Sequence, residues 1–223
     1  MMIKNDGGVR VVDPKKWTEF VCQEMNYILP EDCRGGTVID CGSNVGAFEI
    51  INNDRFDMYR CFDICDQNIE ILKNNLKNIK NVKFTVDRKA CWNTGGQIKN
   101  VMAHSNEFGE VNYFGNSGAF SIVEAVNPDG VWGWKEVNTI DTVETISIEQ
   151  IIEKYGHIKL LKVDIEGSEW DFLYRKDLSK IEFIVGEFHN YGSQKWRELI
   201  SHIGETHYIV ASDLQHVFTF KRK

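Results

Sequence analysis

The chain has 223 residues and carries 26 basic against 33 acidic side chains, which gives a formal net charge of −7. This length is typical of one domain with a sizeable core, and the acidic balance argues against a nucleic-acid partner, since proteins that bind phosphate backbones are usually basic. No apolar run approaches the roughly 20 residues of a membrane span, and residues 1–12 lack a signal-peptide pattern, so we expect no membrane attachment.

The spacing of the six cysteines predicts neither a disulfide framework nor a zinc site. Cys61 and Cys65 lie close together but lack the matching second pair that structural zinc sites use. The others are Cys22, Cys33, Cys41 and Cys91. Reduced thiols are typical of the cytoplasm, and we predict that location.

Residues 1–36 form an N-terminal extension that we predict to be helical. Asp13 and Pro14 have the pattern of an N-cap followed by proline at the first helical position. Apolar residues then recur as far as Leu29, and Pro30 is expected to end the helix.

The segment Thr37–Phe48 has the pattern of the first half of a nucleotide-binding βαβ unit. β-Branched residues predict a buried strand, and a tight turn containing Gly42, Asn44 and Gly46 follows. Asp40 is expected at the carboxyl end of the strand, where open α/β sheets bind their ligands.

The composition of this turn favours S-adenosylmethionine over NAD. The pyrophosphate of a dinucleotide needs a G-x-G-x-x-G loop, whereas here Asn44 replaces the middle glycine and Asp40 stands nearby. S-adenosylmethionine has no phosphate and carries cationic groups, so an acid is compatible with it. A nicotinamide dehydrogenase and a purely structural turn are the alternatives.

Two further strands extend the predicted sheet. The second strand, Asp57–Ile64, ends near Asp63, where βαβ folds place a carboxylate that accepts hydrogen bonds from ribose hydroxyls. After the third strand, Asn81–Val86, residues 87–92 are where such folds usually hold adenine, and Ala90 is small enough for backbone contact with a flat ring.

Residues 95–143 interrupt the alternation of strands and helices. They are rich in glycine, asparagine and aromatic residues, with strand-like pieces at 97–103 and 119–126. We predict an inserted hairpin or loop region that is a candidate substrate lid, because long functional loops often select substrates.

Ser147 and Gln150 have the spacing of a capping box, which predicts a helix that begins there and ends at Tyr155-Gly156.

Acidic residues follow the next buried strand, Lys159–Asp164. It continues into Ile165-Glu166-Gly167-Ser168-Glu169. A stabilising interaction with the helix dipole explains why an acid such as Glu169 stands at a helix start. It does not explain Asp164, which should lie at the same sheet edge as Asp40, so we expect Asp164 to belong to a functional site.

Glu187 and His189 end another buried strand, Ile181–His189. Alternation places both side chains on one face. Histidine titrates near neutral pH and often serves as a general base; a structural histidine is the alternative. A helix over Ser193–Ile203, closed by Gly204, and a final hairpin with an antiparallel last strand complete the predicted sheet.

The chain resembles the FkbM-type methyltransferases, a family of class I S-adenosylmethionine-dependent enzymes. The resemblance covers about residues 37–190. Four stretches carry it: Val38-Ile39-Asp40-x-Gly42-x-Asn44-x-Gly46-x-Phe48, Phe62-Asp63 with the helix after it, Leu161-Lys162-Val163-Asp164-Ile165-Glu166-Gly167-x-Glu169, and Glu187-Phe188-His189. Asp63-Ile64 departs from the Glu-Pro that is frequent in the family.

The resemblance implies a Rossmann-like α/β fold with a mostly parallel seven-stranded sheet, an antiparallel last strand and helices on both faces. It also implies S-adenosylmethionine as cofactor and methyl transfer to a hydroxyl of a sugar or small metabolite. The cofactor-binding candidates are Asp40, Gly42, Ser43, Asn44, Gly46, Asp63, Ala90 and Asp164. The catalytic candidates are Asp164, Glu187 and His189, and Glu166 and Glu169 are candidates for binding the acceptor.

Three alternatives stay open at this point. The enzyme could methylate nitrogen on RNA or protein, although the acidic balance and the lack of an Asn/Asp-Pro-Pro-Tyr motif disfavour this. The domain could bind S-adenosylmethionine without catalysis, because a fold does not guarantee chemistry. A divalent metal shared by Asp164 and neighbouring oxygens is conceivable, but the sequence shows no complete ligand set, so we predict none.

Overall fold

The computed structural model describes residues 2–4, 10–12, 14–24, 27–77, 79–80, 82–104, 120–122, 137–189, 191–213 and 216–223. The strands are β1 Met2–Lys4, β2 Arg10–Val12, β3 Thr37–Cys41, β4 Met58–Asp63, β5 Lys83–Arg88, β6 Ala90–Cys91, β7 Ile98–His104, β8 Phe120–Ser121, β9 Val137–Ile146, β10 Ile158–Val163, β11 Ile181–Glu187, β12 His207–Ser212 and β13 Val217–Arg222. The helices are α1 Pro14–Glu24, α2 Ala47–Ile51, α3 Asp66–Leu76, α4 Ile148–Tyr155, α5 Glu169–Leu173 and α6 Gln194–Thr206.

The main sheet has seven strands in the order β12-β13-β11-β10-β3-β4-β5. β13 runs antiparallel to both of its neighbours, and the other pairs are parallel. This confirms the expected fold class, including the antiparallel last strand. The order of strands reverses between β3 and β10, and an open α/β sheet binds ligands at such a switch point.

Helices cover both faces of this sheet, as predicted. One core cluster contains residues of α4, α5 and α6, such as Ile148, Phe172 and Leu199. The cluster on the other face contains Phe48 of α2 and Leu72 of α3. Strands β3, β10 and β11 supply residues to both clusters, because successive side chains point to opposite faces. Their apolar sequences follow from burial on both sides.

The N-terminal extension differs from the prediction in two respects. It begins with a short antiparallel pair, β1 and β2, so it is not wholly helical. Helix α1 begins at Pro14 as expected but ends at Glu24, and Tyr27–Pro30 is not helical. Instead, the Ile28 carbonyl accepts a hydrogen bond from Thr219 Oγ1 at 2.7 Å, which ties this segment to β13.

The described strands of the insertion, together with β6 just before it, form a second sheet of four strands in the order β6-β9-β7-β8. The expected strand at 97–103 is β7, which pairs antiparallel with β9. Residues 105–119 and 123–136, with most of the insertion's aromatic residues, lie outside the described part of the chain. The candidate lid role therefore stays a prediction.

Two local predictions can be compared directly. The Ser147–Gln150 capping box is confirmed: Ser147 Oγ accepts from the Gln150 N–H, and the Gln150 side chain accepts from the Ser147 N–H. Gly204 does not end the last helix, because α6 continues to Thr206.

All six cysteines are free thiols. Among the described helices, none has the length and apolar character needed to cross a membrane.

Candidate active site

A cleft of about 540 Å³, counting space that is open to solvent, lies at the switch point of the main sheet, where open α/β sheets bind their ligands. Its walls are the glycine turn after β3, the end of β4, residues 89–91 and the segment 164–168 after β10, together with Ile122 of the insertion. Among the described residues, the lining contains the acidic Asp63, Asp164 and Glu166 and one basic residue, Lys89. The cleft is therefore acidic.

Gly42 lets the turn after β3 approach the carboxyl end of the neighbouring strand β10 closely. Its φ is +80°, and a Cβ there would lie 1.7 Å from the carbonyl oxygen of Asp164. A residue with a side chain would push these two segments apart, so the glycine is required by space as well as by conformation. Asn44, which also lines the cleft, has a φ of +49°, a conformation that asparagine tolerates better than most residues.

Asp63 lines the cleft and also fixes the turn. Its Oδ2 accepts from the Asn44 N–H at 2.8 Å, and its Oδ1 accepts from the Cys65 N–H at 2.8 Å. Burial raises the pKa of Asp63 to about 6, although these backbone hydrogen bonds oppose the shift. The carboxylate links the glycine turn to the start of α3.

Asp40 lies beneath the turn and does not line the cleft. It is fully buried and forms an ion pair with Lys162, the cross-strand neighbour on β10, at 3.1 Å from Nζ to Oδ1. Lys162 Nζ also donates to the Gly42 carbonyl at 2.6 Å and lies 3.8 Å from Asp164 Oδ2. Burial by itself lowers the pKa of Lys162, but the charges of Asp40 and Asp164 outweigh it and raise the pKa.

Sequence reasoning missed Lys162 and Tyr27. A lysine inside an apolar strand is itself a signal of a buried charge that needs a partner, and Asp40 is that partner. Tyr27 gave no such signal, because it lies 137 residues from its contact: its hydroxyl donates to Asp164 Oδ2 at 2.9 Å. Burial, and then the charge of Asp164, raise the pKa of Tyr27 well above its usual value, so it remains a neutral donor.

The acids after β10 converge with His189 after β11. His189 Nδ1 lies 2.9 Å from Glu169 Oε1, and His189 Nε2 lies 3.3 Å from Glu166 Oε2 and 3.8 Å from Glu187 Oε1. The same Glu169 oxygen accepts from the N–H groups of Ile165 and Gly167 at 3.2 and 3.1 Å. Glu169 thus organises the loop and the imidazole together.

Burial and mutual charge shift the titration of this cluster. Burial raises the pKa of Glu166 to about 7, and His189 partly opposes the shift. Burial, followed by the charge of Asp164, raises the pKa of Glu187. Burial lowers the pKa of His189, but Glu169 and Glu166 outweigh it and raise that pKa well above its usual value. His189 is therefore cationic at neutral pH and is poorly suited to accept a proton.

The structure distributes the candidate residues over three positions. Those that line the cleft are Gly42, Asn44, Asp63, Ala90, Asp164 and Glu166. Asp40, Ser43 and Gly46 lie below it; Ser43 Oγ donates to the Phe62 carbonyl at 3.1 Å, and Gly46 is the residue before α2. Glu169, Glu187 and His189 lie beside the cleft, next to Glu166.

The structure also assembles a ligand set that the sequence did not show. One donor atom each from Asp164, Glu166 and His189 lie within 4.8 Å of one another. The insertion contacts the same region, since Ser121 Oγ donates to the Glu166 carbonyl at 2.8 Å. Glu166 has a φ of +53°, which for a glutamate is a strained conformation of the kind found at functional sites.

Comparison with known proteins gives one family and several structural relatives. The family model of the methyltransferase FkbM domain matches residues 40–220. The structure is similar to an FkbM methyltransferase from Methylobacillus flagellatus, at 15% identity and a TM-score of 0.50, over 94% of this chain and 50% of the other. The chain thus spans about half the length of that relative.

It is also similar to TrmK from M. capricolum in complex with S-adenosyl-homocysteine, at 12% identity and a TM-score of 0.36, over 92% of this chain and 67% of the other. No curated protein matches the sequence.

Proposed function

Because the chain belongs to the FkbM methyltransferase domain family, we propose that it transfers a methyl group from S-adenosylmethionine to a hydroxyl of a sugar or small metabolite. The observation that supports this most is the acidic cleft at the switch point, with a carboxylate–histidine cluster beside it. We also propose a reducing, cytoplasmic location, which the six free thiols support.

The residues of the cleft fit S-adenosylmethionine better than a dinucleotide. A pyrophosphate would meet the charges of Asp63, Asp164 and Glu166, whereas sulfonium and ammonium groups are attracted by them. Gly42 lines the cleft and, having no side chain, presents only backbone to a ligand. We assign Asp63 to the ribose hydroxyls, Ala90 to the adenine and Asp164 to the cationic end, with Asp40 holding Lys162 and the turn in place.

When bound, the cofactor supplies a sulfonium methyl: the methyl–oxygen bond forms as the methyl–sulfur bond breaks, and sulfur keeps the electron pair. The chain's part is to position the hydroxyl and to remove its proton. Glu187 is our choice for the proton acceptor. Asp164 Oδ2 already accepts from Tyr27, and both nitrogens of His189 face carboxylates. Glu166 and Glu169 then orient the acceptor and the imidazole.

The test is transfer of labelled methyl from S-adenosylmethionine to a panel of sugars and hydroxylated metabolites, with Glu187→Gln as the variant. We expect the variant to lower kcat by about 10²–10⁴-fold, the usual contribution of a general base, and to bind the cofactor normally. Full activity of Glu187→Gln on a true acceptor would exclude Glu187 as the base. Labelling of RNA or protein instead of any small acceptor would overturn the proposed substrate class.

A further inference from the structure

We propose that Asp164, Glu166 and His189 bind a divalent cation of the Mg²⁺ or Mn²⁺ type, which holds the acceptor hydroxyl; this deepens the proposed function and rests on it. The three donor atoms lie within 4.8 Å of one another. Around an ion with ligands at roughly 2.1–2.3 Å, neighbouring donors stand about 3.0–3.3 Å apart. The 3.3 Å between His189 Nε2 and Glu166 Oε2 already meets this spacing.

His189 is oriented as a metal-ligating histidine. Its Nδ1 lies 2.9 Å from a Glu169 oxygen, and the Glu169 side chain is only 3% exposed. That oxygen accepts from two backbone N–H groups, so Nδ1–H is the donor and Nε2 is directed toward Glu166. The cation would bind at Nε2 in place of the proton that the cationic imidazole carries there, and this proton would be released to solvent. A carboxylate that fixes the tautomer and the ring of a histidine is a common feature of metal sites.

An independent observation comes from Ser168. Its side chain is 1% exposed and lines the same cleft as Asp164 and Glu166. Its hydroxyl has no hydrogen-bond partner in the described part of the chain. A buried hydroxyl without a partner is unfavourable, and a ligand in the cleft, such as a water of a hydrated cation, would satisfy it.

The charges of the cluster also favour a cation. Four carboxylates meet here, those of Asp164, Glu166, Glu169 and Glu187, and His189 lies between three of them. Lys162, which forms an ion pair with Asp164, lies closer to Asp40: its Nζ is 3.1 Å from Asp40 Oδ1 and 3.8 Å from Asp164 Oδ2. A divalent cation would balance the remaining negative charge.

The cation would act on the acceptor and not on the cofactor. A hydroxyl oxygen bound to a divalent cation loses its proton more readily. Glu187 lies outside the three-ligand set and takes that proton. The oxygen then forms the bond to the methyl carbon as the carbon–sulfur bond breaks, so no redox step is involved.

The experiment is titration of chelator-treated, full-length protein with Mn²⁺, followed by the electron paramagnetic resonance of free Mn²⁺, without cofactor. We expect one saturable site. Glu166→Gln and Asp164→Asn keep the side-chain shape and should each weaken Mn²⁺ binding by at least about tenfold, since even outer-shell changes often reach this size. Glu153→Gln, which removes the same charge from the exposed face of α4, should leave binding unchanged.

The outcomes separate the two proposals. The metal site would be overturned, and the proposed function left intact, if the protein bound the cofactor but showed no saturable Mn²⁺ site. The same would follow if Glu166→Gln and Asp164→Asn did not weaken Mn²⁺ binding. Saturable Mn²⁺ binding that depends on these residues, in a protein that does not bind S-adenosylmethionine, would support the metal site and contradict the proposed function.

Discussion

At the end of β4, the Asp63 carboxylate accepts from the N–H groups of Asn44 and Cys65 while lining the cleft. We therefore expect Asp63→Ala to weaken S-adenosylmethionine binding by roughly 10–100-fold, the value of hydrogen bonds to a charged group. It should also lower the melting temperature, because the turn loses its anchor. Calorimetric titration measures the first effect. The control is Asp66→Ala, on the exposed start of α3. If Asp63→Ala binds S-adenosylmethionine as tightly as the wild type, the ribose assignment is wrong.

The raised pKa of Asp63 predicts a pH dependence of cofactor binding. With a pKa of about 6, the carboxylate is ionised at pH 8 and protonated as the pH falls through 6. Affinity should then decrease toward acid, by up to about tenfold, because a neutral carboxyl is the weaker acceptor. Titrations at several pH values measure this. Asp63→Asn should remove the part of the dependence near pH 6 and leave the part due to Glu166, whose pKa is about 7. A wild-type affinity that rises toward acid would contradict the assignment.

His189 is expected to affect turnover more than cofactor binding. His189→Ala removes the imidazole that lies between Glu169, Glu166 and Glu187, so the acceptor side of the site loses its order. We expect kcat to fall by about 10²-fold or more, as for misplacement of reacting groups. The Kd of S-adenosylmethionine should change little. A wild-type turnover number on a true acceptor would show that His189 has no part in the reaction.

At the scale of elements, the segment between α1 and β3 contributes a residue to the site, Tyr27. This residue precedes residues 40–220, the part of the chain that the family model matches. The Tyr27 hydroxyl donates to Asp164, and the Tyr27 ring packs edge-on against Phe48. Tyr27→Phe keeps the ring and removes the donor, so we expect kcat to fall about tenfold, near the lower value of a hydrogen bond to a charged group. The melting temperature should hardly change.

Steady-state kinetics and thermal denaturation of Tyr27→Phe separate positioning from stability. The control is Tyr208→Phe, the same change on the exposed strand β12. A loss of stability without a loss of kcat would show that Tyr27 only packs.

Elements whose limits depend on local chemistry could be predicted, and those set by distant contacts could not. The capping box of α4 was read correctly, because its residues lie within one turn. The end of α1 was not, because a hydrogen bond from Thr219, far along the chain, to the Ile28 carbonyl ties the next residues to β13. Likewise Gly204 resembles a helix end, yet α6 continues past it to Thr206.

At the scale of the whole molecule, parallel strands explain why the candidate site was partly visible in the sequence. Residues at the carboxyl ends of β3, β4, β10 and β11 must meet at one sheet edge, so Asp63, Asp164 and His189 could be named from strand ends alone. Their partners could not: the pairing of Asp40 with Lys162 depends on strand register, and the contact between Tyr27 and Asp164 depends on tertiary packing.

The most direct test of the account is calorimetric titration of the purified protein with S-adenosylmethionine, S-adenosylhomocysteine and NAD in parallel. The acidic cleft predicts micromolar binding of the first two and none of NAD. Binding of NAD, or no binding of S-adenosylmethionine and S-adenosylhomocysteine, would contradict the assignment of this cleft as the site of a methyltransferase.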